Sequence, residues 1–319
     1  MIVMMFRRRI STAPIALTAL ALTGALALSA CGSGTTGAKT ADGKVNVVAA
    51  FYPLQYLAEQ IGGDHVKVTD LTAPGTEPHD LELTAKQVGA VQDAGAVLYL
   101  KGLQPTVDKA VAQSKSKYVV DAAALSPLLD HHLDEGTDGG TPAKGNTGDP
   151  HIWLDPTRYA TVAKGVGAEL AKADPANAAE YQKNTDALVA KLGTLNQSFQ
   201  AGLKSCTRKS FVTSHAAFGY LADTYGLQQI AINGVDPESE PTPARLAQIQ
   251  QAAKDSGVTT VFFEALVSPK LADTVAKDLN LKTAVLDPIE GVMAGSPDTY
   301  LTIMQQNLSN LRDALGCAS

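Results

Sequence analysis

The sequence predicts an α/β protein of two lobes, each a parallel sheet covered by helices, with one long helix between them. In each half of the chain, short apolar runs alternate with amphipathic stretches, as in parallel sheets whose strands are connected by helices. Between the halves, residues 176–204 keep a helical period without a proline. At about 1.5 Å per residue this helix would span roughly 40 Å, enough to join two lobes as a rigid strut.

The first half contains predicted strands and helices up to a polar break in the pattern. Strands are expected at residues 45–51, 66–71, 96–100 and 118–120, and helices at 54–61, 85–93 and 107–114. Residues 133–149 are rich in Gly, Asp and Thr and are predicted to form a loop. A helix is expected at 158–172, and Asp155-Pro156-Thr157 before it is typical of a helix start, where the carboxylate caps free amides.

The second half repeats the alternation, although we find no sequence repeat that would make the halves duplicates. Strands are expected at 210–214, 228–232, 259–263 and 283–286, and helices at 217–225, 243–256, 269–280 and 298–315. The folded part is therefore divided into an amino-terminal lobe at 45–175, a linking helix at 176–205 and a carboxy-terminal lobe at 206–319.

The first thirty residues predict export. Arg7 to Arg9 precede an apolar run and then small residues, which is the order found in secretion signals. The Leu-Ser-Ala-Cys sequence that ends at Cys31 resembles the bacterial lipobox, which implies a signal peptide at 1–30 and lipid on the sulfur of Cys31. Residues 31–44 are small and polar and are predicted to be a flexible tether. A short membrane anchor is the alternative, and either way the folded part lies outside the cytoplasm.

Composition and charge exclude several classes of protein. The chain has 319 residues and is 45% hydrophobic, so it can bury a substantial core and is not disordered or fibrous. Its net charge is −6, and without the three arginines of the signal segment it has 23 basic and 32 acidic residues. An acidic surface of this kind argues against nucleic acid as a partner.

Two cysteines remain once Cys31 is assigned to lipid. Cys206 and Cys317 lie in a compartment that permits disulfides, and we predict a bridge between them. The bridge would tie the start of the second lobe to its end and contribute roughly 4 kcal/mol to stability by the chain-entropy estimate. Two unrelated buried thiols are the alternative.

Three of the six histidines, His79, His151 and His215, lie at the ends of predicted strands or in turns that contain proline. His215 follows a strand at the edge where open α/β sheets bind ligands, and Asp287 holds the equivalent place after the last strand. Three neutral imidazoles and one carboxylate can close a tetrahedron around zinc. A lone histidine beside proline is more often a turn residue, however, and no compact metal motif is present, so spacing alone does not decide the role.

Four segments together carry a resemblance to a known family. They are Gly-Thr-Glu-Pro-His-Asp-Leu-Glu at 75–82, Asp-Pro-His-Ile-Trp-Leu-Asp-Pro at 149–156, Ser-His-Ala-Ala-Phe-Gly-Tyr-Leu-Ala-Asp-Thr-Tyr-Gly-Leu at 214–227 and Val-Leu-Asp-Pro at 285–288. In this order they resemble the metal-binding lipoproteins of zinc and manganese ABC importers, and the match extends from about residue 45 to the end. The resemblance implies two (β/α) lobes bridged by a long helix, with the metal site in the cleft between the lobes.

Carried over residue by residue, the resemblance implies that His79 and His151 are ligands from the first lobe and that His215 and Asp287 are ligands from the second. Zinc members of the family often have histidine at the third position where manganese members have glutamate, and imidazole is also the donor better suited to zinc. Zinc is therefore the expected cargo, with manganese or iron as alternatives. Glu264 matches a family acid and is expected to support the site rather than to ligate.

The remaining histidines and the only tryptophan have less specific expectations. His131 and His132 begin a short stretch at the place where zinc members of the family often carry a metal-gathering loop, but a solvated polar loop is the favoured role. His65 is predicted to be an exposed turn residue. Trp153 is expected in the core or the cleft wall, near enough to His151 for its fluorescence to report on metal.

The function that the resemblance implies is capture of zinc outside the cytoplasm and delivery to the permease and ATPase subunits of an ABC importer. The protein is expected to be a monomer held at the outer face of the cell membrane through Cys31, with a metallochaperone as a further candidate partner. An enzyme is not expected, because a zinc hydrolase needs an open coordination position for water, and three histidines with Asp287 would leave none. Glu77 or Glu264 could serve as a base, but no nucleophile motif such as Gly-x-Ser-x-Gly is present. A surface adhesin is the third class, although the sequence has no repeats or stalk to support it.

Overall fold

The structure is a computed structural model that describes residues 38–131 and 148–318. The predicted signal peptide, the lipidation site Cys31, His132 and most of the predicted loop at 133–149 lie outside the described residues. Within the described ranges, no helix combines the length and apolar character needed to cross a membrane.

The first lobe is built on a parallel sheet with the strand order β2-β1-β3-β4. Its strands are β1 (Val45–Ala49), β2 (Val66–Asp70), β3 (Ala96–Tyr99) and β4 (Val119–Asp121). Its helices are α1 (Tyr52–Gly62), α2 (Ala85–Asp93), α3 (Pro105–Ala112) and α4 (Ala122–Leu125). The central strands β1 and β3 are nearly continuous apolar runs, because both faces of a parallel sheet are covered.

The second lobe has a parallel sheet with the equivalent order, β6-β5-β7-β8. Its strands are β5 (Ser210–Thr213), β6 (Gln228–Ala231), β7 (Thr260–Phe263) and β8 (Lys282–Val285). Successive side chains alternate between faces, so Phe211 and Phe262 join the core that extends into the first lobe, while Val212 and Val261 pack in a separate apolar cluster. The cluster is completed from two helices that follow β6 and β7, α8 (Pro243–Asp255) and α9 (Lys270–Leu279).

Two long helices lie in the chain between the last strand of the first sheet and the first strand of the second. The first, α5 (Pro156–Ala173), begins as predicted, with the Asp155 carboxylate accepting a hydrogen bond of 2.7 Å from the backbone N–H of Thr157. The second, α6 (Ala178–Leu203), has 26 residues and therefore spans about 39 Å. It starts slightly later than predicted because Pro175–Asn177 form a separate 3-10 turn.

Helix α6 contacts both lobes. Its buried side chains recur every three or four residues, from Tyr181 through Leu188, Leu192 and Phe199 to Leu203. It packs against α1 and α5 on one side and, in the second lobe, against α7 (Gly219–Tyr225) and α10 (Tyr300–Leu315). The predicted architecture of two α/β lobes bridged by a long helix is confirmed.

Both ends of the described chain are fastened to neighbouring elements. At the start, the backbone carbonyl of Ala38 accepts from Asn46, and the Lys39 ammonium lies 3.0 Å from the Asp174 carboxylate. Residues 38–44, which we expected to be part of the tether, are thus packed against the first lobe. At the other end, the predicted disulfide between Cys206 and Cys317 is present and closes a sequence separation of 111 residues.

Candidate metal centre

His79 lies on the connection between β2 and α2. Its backbone N–H donates to a Glu77 carboxylate oxygen at 2.9 Å, which holds the turn that presents the imidazole. The ring Nε2 lies 3.3 Å from Oε1 of Glu290 in the second lobe. The His79 side chain is 10% exposed, so it forms the solvent edge of the group described below.

His151 is completely buried, just before the 3-10 helix Ile152–Leu154. One oxygen of Asp149 accepts from its backbone N–H at 2.9 Å and lies 2.7 Å from its ring Nδ1. A carboxylate on Nδ1 fixes the ring direction and leaves Nε2 as the free donor atom. That Nε2 lies 2.9 Å from Oε1 of Glu290.

His215 follows the end of β5 and is 1% exposed. Its ring Nδ1 is 2.9 Å from Oε1 of Glu264, the residue directly after β7, and the same oxygen accepts from the Ser214 hydroxyl at 2.6 Å. Its Nε2 lies 3.3 Å from Glu290 Oε1 and 3.4 Å from Nε2 of His151. Glu264 therefore orients His215 as Asp149 orients His151.

The structure thus brings together the three predicted histidines and Glu290. One donor atom from each of His79, His151, His215 and Glu290 lies within 4.8 Å of the others. Each lobe supplies two of them, so the group joins the lobes at the carboxyl edges of their sheets. Among the described residues it is the only such group of three or more histidine, cysteine or acidic side chains.

Asp287, which we predicted as the carboxylate ligand, lies outside this group. Its Oδ1 accepts from the backbone N–H of Ile289 at 2.7 Å, while Asn307 bonds both its N–H and its carbonyl, at 2.9 and 2.7 Å. These bonds make a tight turn in which Ile289 has a φ of 58°, in the left-handed region that a β-branched residue rarely adopts. The turn carries the chain past Asp287 and places Glu290 among the imidazoles, which corrects the prediction.

The charges in the group are strongly coupled. Burial lowers the pKa of His215, but Glu264 and Glu290 outweigh it and raise that pKa to about 10. The pKa of His151 is also raised, because Asp149 and Glu290 outweigh its burial. Burial opposes ionisation of Glu290, yet hydrogen bonds from the three histidines hold its pKa well below the usual value. Without a bound cation, protons are therefore held between these imidazoles and carboxylates.

Two further carboxylates leave buried oxygens without a hydrogen-bond partner. Oε1 of Glu77 and Oε2 of Glu264 accept no hydrogen bond from any described residue, although the Glu77 atom lies 3.9 Å from Nε2 of His79. Burial, with repulsion from Glu290, raises the pKa of Glu77 to about 8. Buried carboxylate oxygens are costly unless something positive faces them, so the surroundings of the group suit a cation.

The other residues singled out in the sequence have varied positions. Trp153 is buried, its ring centroid 5.1 Å from that of His151, and its Nε1 donates to the Pro288 carbonyl at 2.7 Å. His65 is paired with Glu180 at 2.9 Å, outside the metal group, with its side chain 30% exposed. His131, expected in a solvated loop, is instead buried.

Sequence reasoning missed Glu290 and Asp149. A signal for Asp149 was present, because Glu77-Pro78-His79 and Asp149-Pro150-His151 repeat the order acid, proline, histidine. In both, the acid accepts from the backbone N–H of the histidine. No comparable signal distinguished Glu290 from Asp287, which stands closer to its strand.

Known sequences similar to this chain are described as zinc-uptake or zinc-binding proteins. Residues 47–314 match the family described as zinc-uptake complex component A, periplasmic. The chain is 36% identical over 300 residues to the high-affinity zinc uptake system protein ZnuA of Bacillus subtilis, covering 91% of this chain and 94% of that protein. It is 38% identical over 290 residues to the zinc-binding protein AdcA of Streptococcus pyogenes, covering 85% of this chain and 56% of AdcA. The chain therefore spans little more than half the length of the AdcA relatives.

Solved structures share the fold. The Zn(II)-bound ZnuA-like domain of Streptococcus pneumoniae AdcA has a TM-score of 0.72 and 34% identity, covering 86% of this chain and 99% of that domain. The laminin-binding protein Lmb of Streptococcus agalactiae, described as a bifunctional protein with adhesin and metal transporting activity, has a TM-score of 0.75 and 31% identity, covering 85% of this chain and 99% of Lmb. Descriptions of this kind, which other laminin-binding neighbours share, are what favours the adhesin alternative.

Proposed function

The chain belongs to the zinc-uptake complex component A family, and from this we propose that it captures zinc(II) outside the cytoplasm and delivers it to an ABC importer. The observation that carries the proposal is the buried group of three imidazole nitrogens and one carboxylate oxygen. Zinc takes four ligands of this kind in closed sites. The proposed ligands are His79, His151, His215 and Glu290.

The group suits a carrier better than an enzyme. Four protein donors would complete a tetrahedron and leave no position for the water that a zinc hydrolase activates. Because two donors come from each lobe, bound zinc would hold the lobes together, and its higher affinity for that arrangement would shift the protein toward it. Release then requires the donors of the two lobes to separate.

The partners follow from this role. We propose a monomer anchored by lipid on Cys31 at the outer face of the cell membrane, with permease and ATPase subunits of an ABC importer as its partners. A metallochaperone that loads the site is a further candidate partner. The acidic composition, with a net charge of −6, suits attraction of a cation rather than of nucleic acid.

Manganese(II) is the second candidate cargo. The observation in its favour is the number of carboxylates, since Glu77 and Glu264 add oxygens that accept no hydrogen bond, beside the proposed ligand oxygen of Glu290. Oxygen donors suit manganese. Three imidazoles favour zinc, which also binds nitrogen-rich sites more tightly than manganese does. Competition between the two ions at the purified protein decides between them.

The test is metal analysis with competitive zinc titration of the purified protein. It is measured beside a triple variant with His79, His151 and His215 changed to Ala, and beside His65→Ala as a matched control. We expect one tightly bound zinc per chain in the wild type and in His65→Ala, and none in the triple variant. Absence of zinc binding in the wild type, or equal binding in all three proteins, would contradict the proposal.

A further inference from the structure

A chain of hydrogen bonds extends from the proposed ligand His151 to the protein surface. Asp149 uses one carboxylate oxygen for His151, and its other oxygen lies 2.7 Å from Nδ1 of His131. Nε2 of His131 lies 3.0 Å from a carboxylate oxygen of Asp223, whose side chain is 62% exposed. The order is therefore carboxylate, imidazole, carboxylate, ligand imidazole.

His131 is held in its doubly protonated form. Both of its ring nitrogens face carboxylate oxygens, which only accept hydrogen bonds, so each nitrogen has to donate. Burial lowers the pKa of His131, but its bonds to Asp149 and Asp223 outweigh burial and raise it. His131 thus offsets the charge of Asp149, which is completely buried.

The surroundings are shaped around the His131 ring. Tyr220 meets it edge-on, with 4.4 Å between ring centroids, and the Tyr220 hydroxyl donates to the Asp149 carbonyl at 2.7 Å. At Gly219 a Cβ atom would lie 2.6 Å from the ring Cγ of His131, so a side chain there would displace the imidazole. Tyr220, Gly219 and Asp223 all lie on α7, so a helix of the second lobe holds an imidazole of the first.

We propose that His131 is a positioning residue for metal binding, which acts through Asp149 to hold His151 in place and ties that ligand to the second lobe through α7. This inference rests on the proposed function. Without His131, one oxygen of the buried Asp149 would lose its donor, which is costly in a buried site. The carboxylate would be free to rotate toward another donor, and its hold on Nδ1 of His151 would weaken.

The expected effect is on metal affinity. Loss of a carboxylate or other partner of a ligating histidine typically costs 10- to 100-fold in affinity. Because His131 acts one step further out, its loss should lower zinc affinity by about tenfold, toward the lower end of that range. The site itself should still take one zinc per chain.

Two variants of His131 separate positioning from packing. In His131→Asn, the amide nitrogen replaces Nδ1 and keeps the bond to Asp149. In His131→Gln, the amide nitrogen replaces Nε2 and keeps only the bond to Asp223. Positioning through Asp149 predicts that the zinc affinity of His131→Asn stays within about threefold of the wild-type value, while that of His131→Gln falls by about tenfold. A packing role predicts the opposite order, because glutamine is closer to histidine in volume.

Further variants extend the test to the whole chain of bonds. Zinc affinity is measured by competitive titration for the two His131 variants, for Asp149→Asn alone and with His131→Gln, and for Asp223→Asn, which changes only the exposed end. His65→Gln, which removes a histidine–carboxylate pair elsewhere, is the matched control. We expect the double variant to bind zinc no more weakly than Asp149→Asn, a loss of at most about threefold for Asp223→Asn, and no change for the control.

The outcomes are distinguishable. Failure of the wild-type protein to bind zinc would overturn the proposed function and this inference together. If the wild type binds zinc but His131→Gln binds it as tightly as His131→Asn or more tightly, the inference alone is overturned. Additive losses of affinity in the double variant would also overturn it. Tighter zinc binding by His131→Asn than by His131→Gln, with no further loss of affinity in the double variant, would support the inference.

Discussion

The two lobes share a strand order but supply their proposed ligands in different ways. In the second lobe, His215 comes two residues after the end of β5 and the supporting Glu264 directly after the end of β7, so the sheet itself sets their positions. In the first lobe, His79 and His151 stand on long connections, away from any strand end. The end of a strand therefore fixes the position of His215, whereas local turns fix the positions of both histidines of the first lobe.

Where a proposed ligand does not follow a strand end, a carboxylate within the local turn holds its backbone in place. Glu77 and Asp149 each accept from the backbone N–H of the histidine two residues later. Asp287 does the same for Ile289, just before Glu290, so this ligand of the second lobe also depends on a local turn. Carboxylates within the turns thus give these loops the order that hydrogen-bonded strands give His215.

Loss of Glu290 should have the largest effect. Glu290→Ala removes a proposed ligand and leaves three imidazoles without their shared carboxylate, so zinc affinity should fall by more than about 100-fold, beyond the range for supporting residues. Competitive titration measures the loss. Asp287→Asn is the control, and its zinc affinity should change by less than about tenfold, because it only alters the turn. A greater loss from Asp287→Asn than from Glu290→Ala would return the ligand assignment to Asp287.

The carboxylates that orient a proposed ligand histidine in each lobe, Asp149 and Glu264, can be compared directly. Asp149 uses one oxygen toward His151 and the other toward His131. In Asp149→Asn the side-chain NH₂, which only donates, would therefore face a ring N–H that also donates. Glu264→Gln can keep a carbonyl oxygen toward His215. We expect zinc affinity to fall by about 10- to 100-fold for Asp149→Asn and by less for Glu264→Gln. The opposite order would mean that the sheet edge, not the turn, needs the stronger support.

Zinc binding should depend on pH through the histidines. Since the pKa of His215 is raised to about 10, zinc has to displace its proton, and affinity should rise with pH between about pH 6 and pH 9. In the metal-free protein, the stability that this raised pKa contributes is fully present below about pH 6.5 and is lost as pH rises toward 10. Calorimetry in buffers of different ionisation heat measures the protons released. A pH-independent affinity with no proton release would contradict this account.

The smallest effect is expected at Trp153, which connects the lobes through its bond to the Pro288 carbonyl. Trp153→Phe keeps an aromatic ring beside Phe51 but loses that bond, worth about 0.5–1.5 kcal/mol, so zinc affinity should fall by less than about tenfold. Because the chain has one tryptophan, any change on zinc addition in emission excited at wavelengths that its nine tyrosines do not absorb belongs to this residue. No fluorescence change during a titration that fills the site would show that the surroundings of the indole do not respond to zinc.

Much of the fold could be predicted because its signals are local. Strand and helix patterns located both sheets and α6, and Asp155 marked the start of α5. The four-residue helix α4 was missed, since Ala122–Leu125 is too short to show a period and depends on its Asp121 cap. Residues 38–44 were expected to be free because their small polar side chains do not reveal the Lys39–Asp174 pair, which is distant in sequence.

The candidate site was predictable in part. The three histidines that the structure brings together were named from motifs and resemblance, but Glu290 was not. Asp287 follows its strand directly, and nothing in the sequence indicates that Ile289 takes a left-handed conformation and moves the next side chain into the site. His131 was misplaced for a similar reason. Its partner Asp223 is brought to it by the packing of α7, and Asp149 by a backbone hydrogen bond to Leu129 that the sequence does not reveal.

The exposure of the four donors also bears on how fast cargo is exchanged. The side chains of His151, His215 and Glu290 are at most 1% exposed, whereas that of His79 is 10% exposed. Water can therefore begin to replace a donor only from the His79 side. The residence time of a bound ion then depends on the opening rate of the β2–α2 connection, where the Gly75 N–H donates to the Val292 carbonyl of the facing lobe at 2.9 Å.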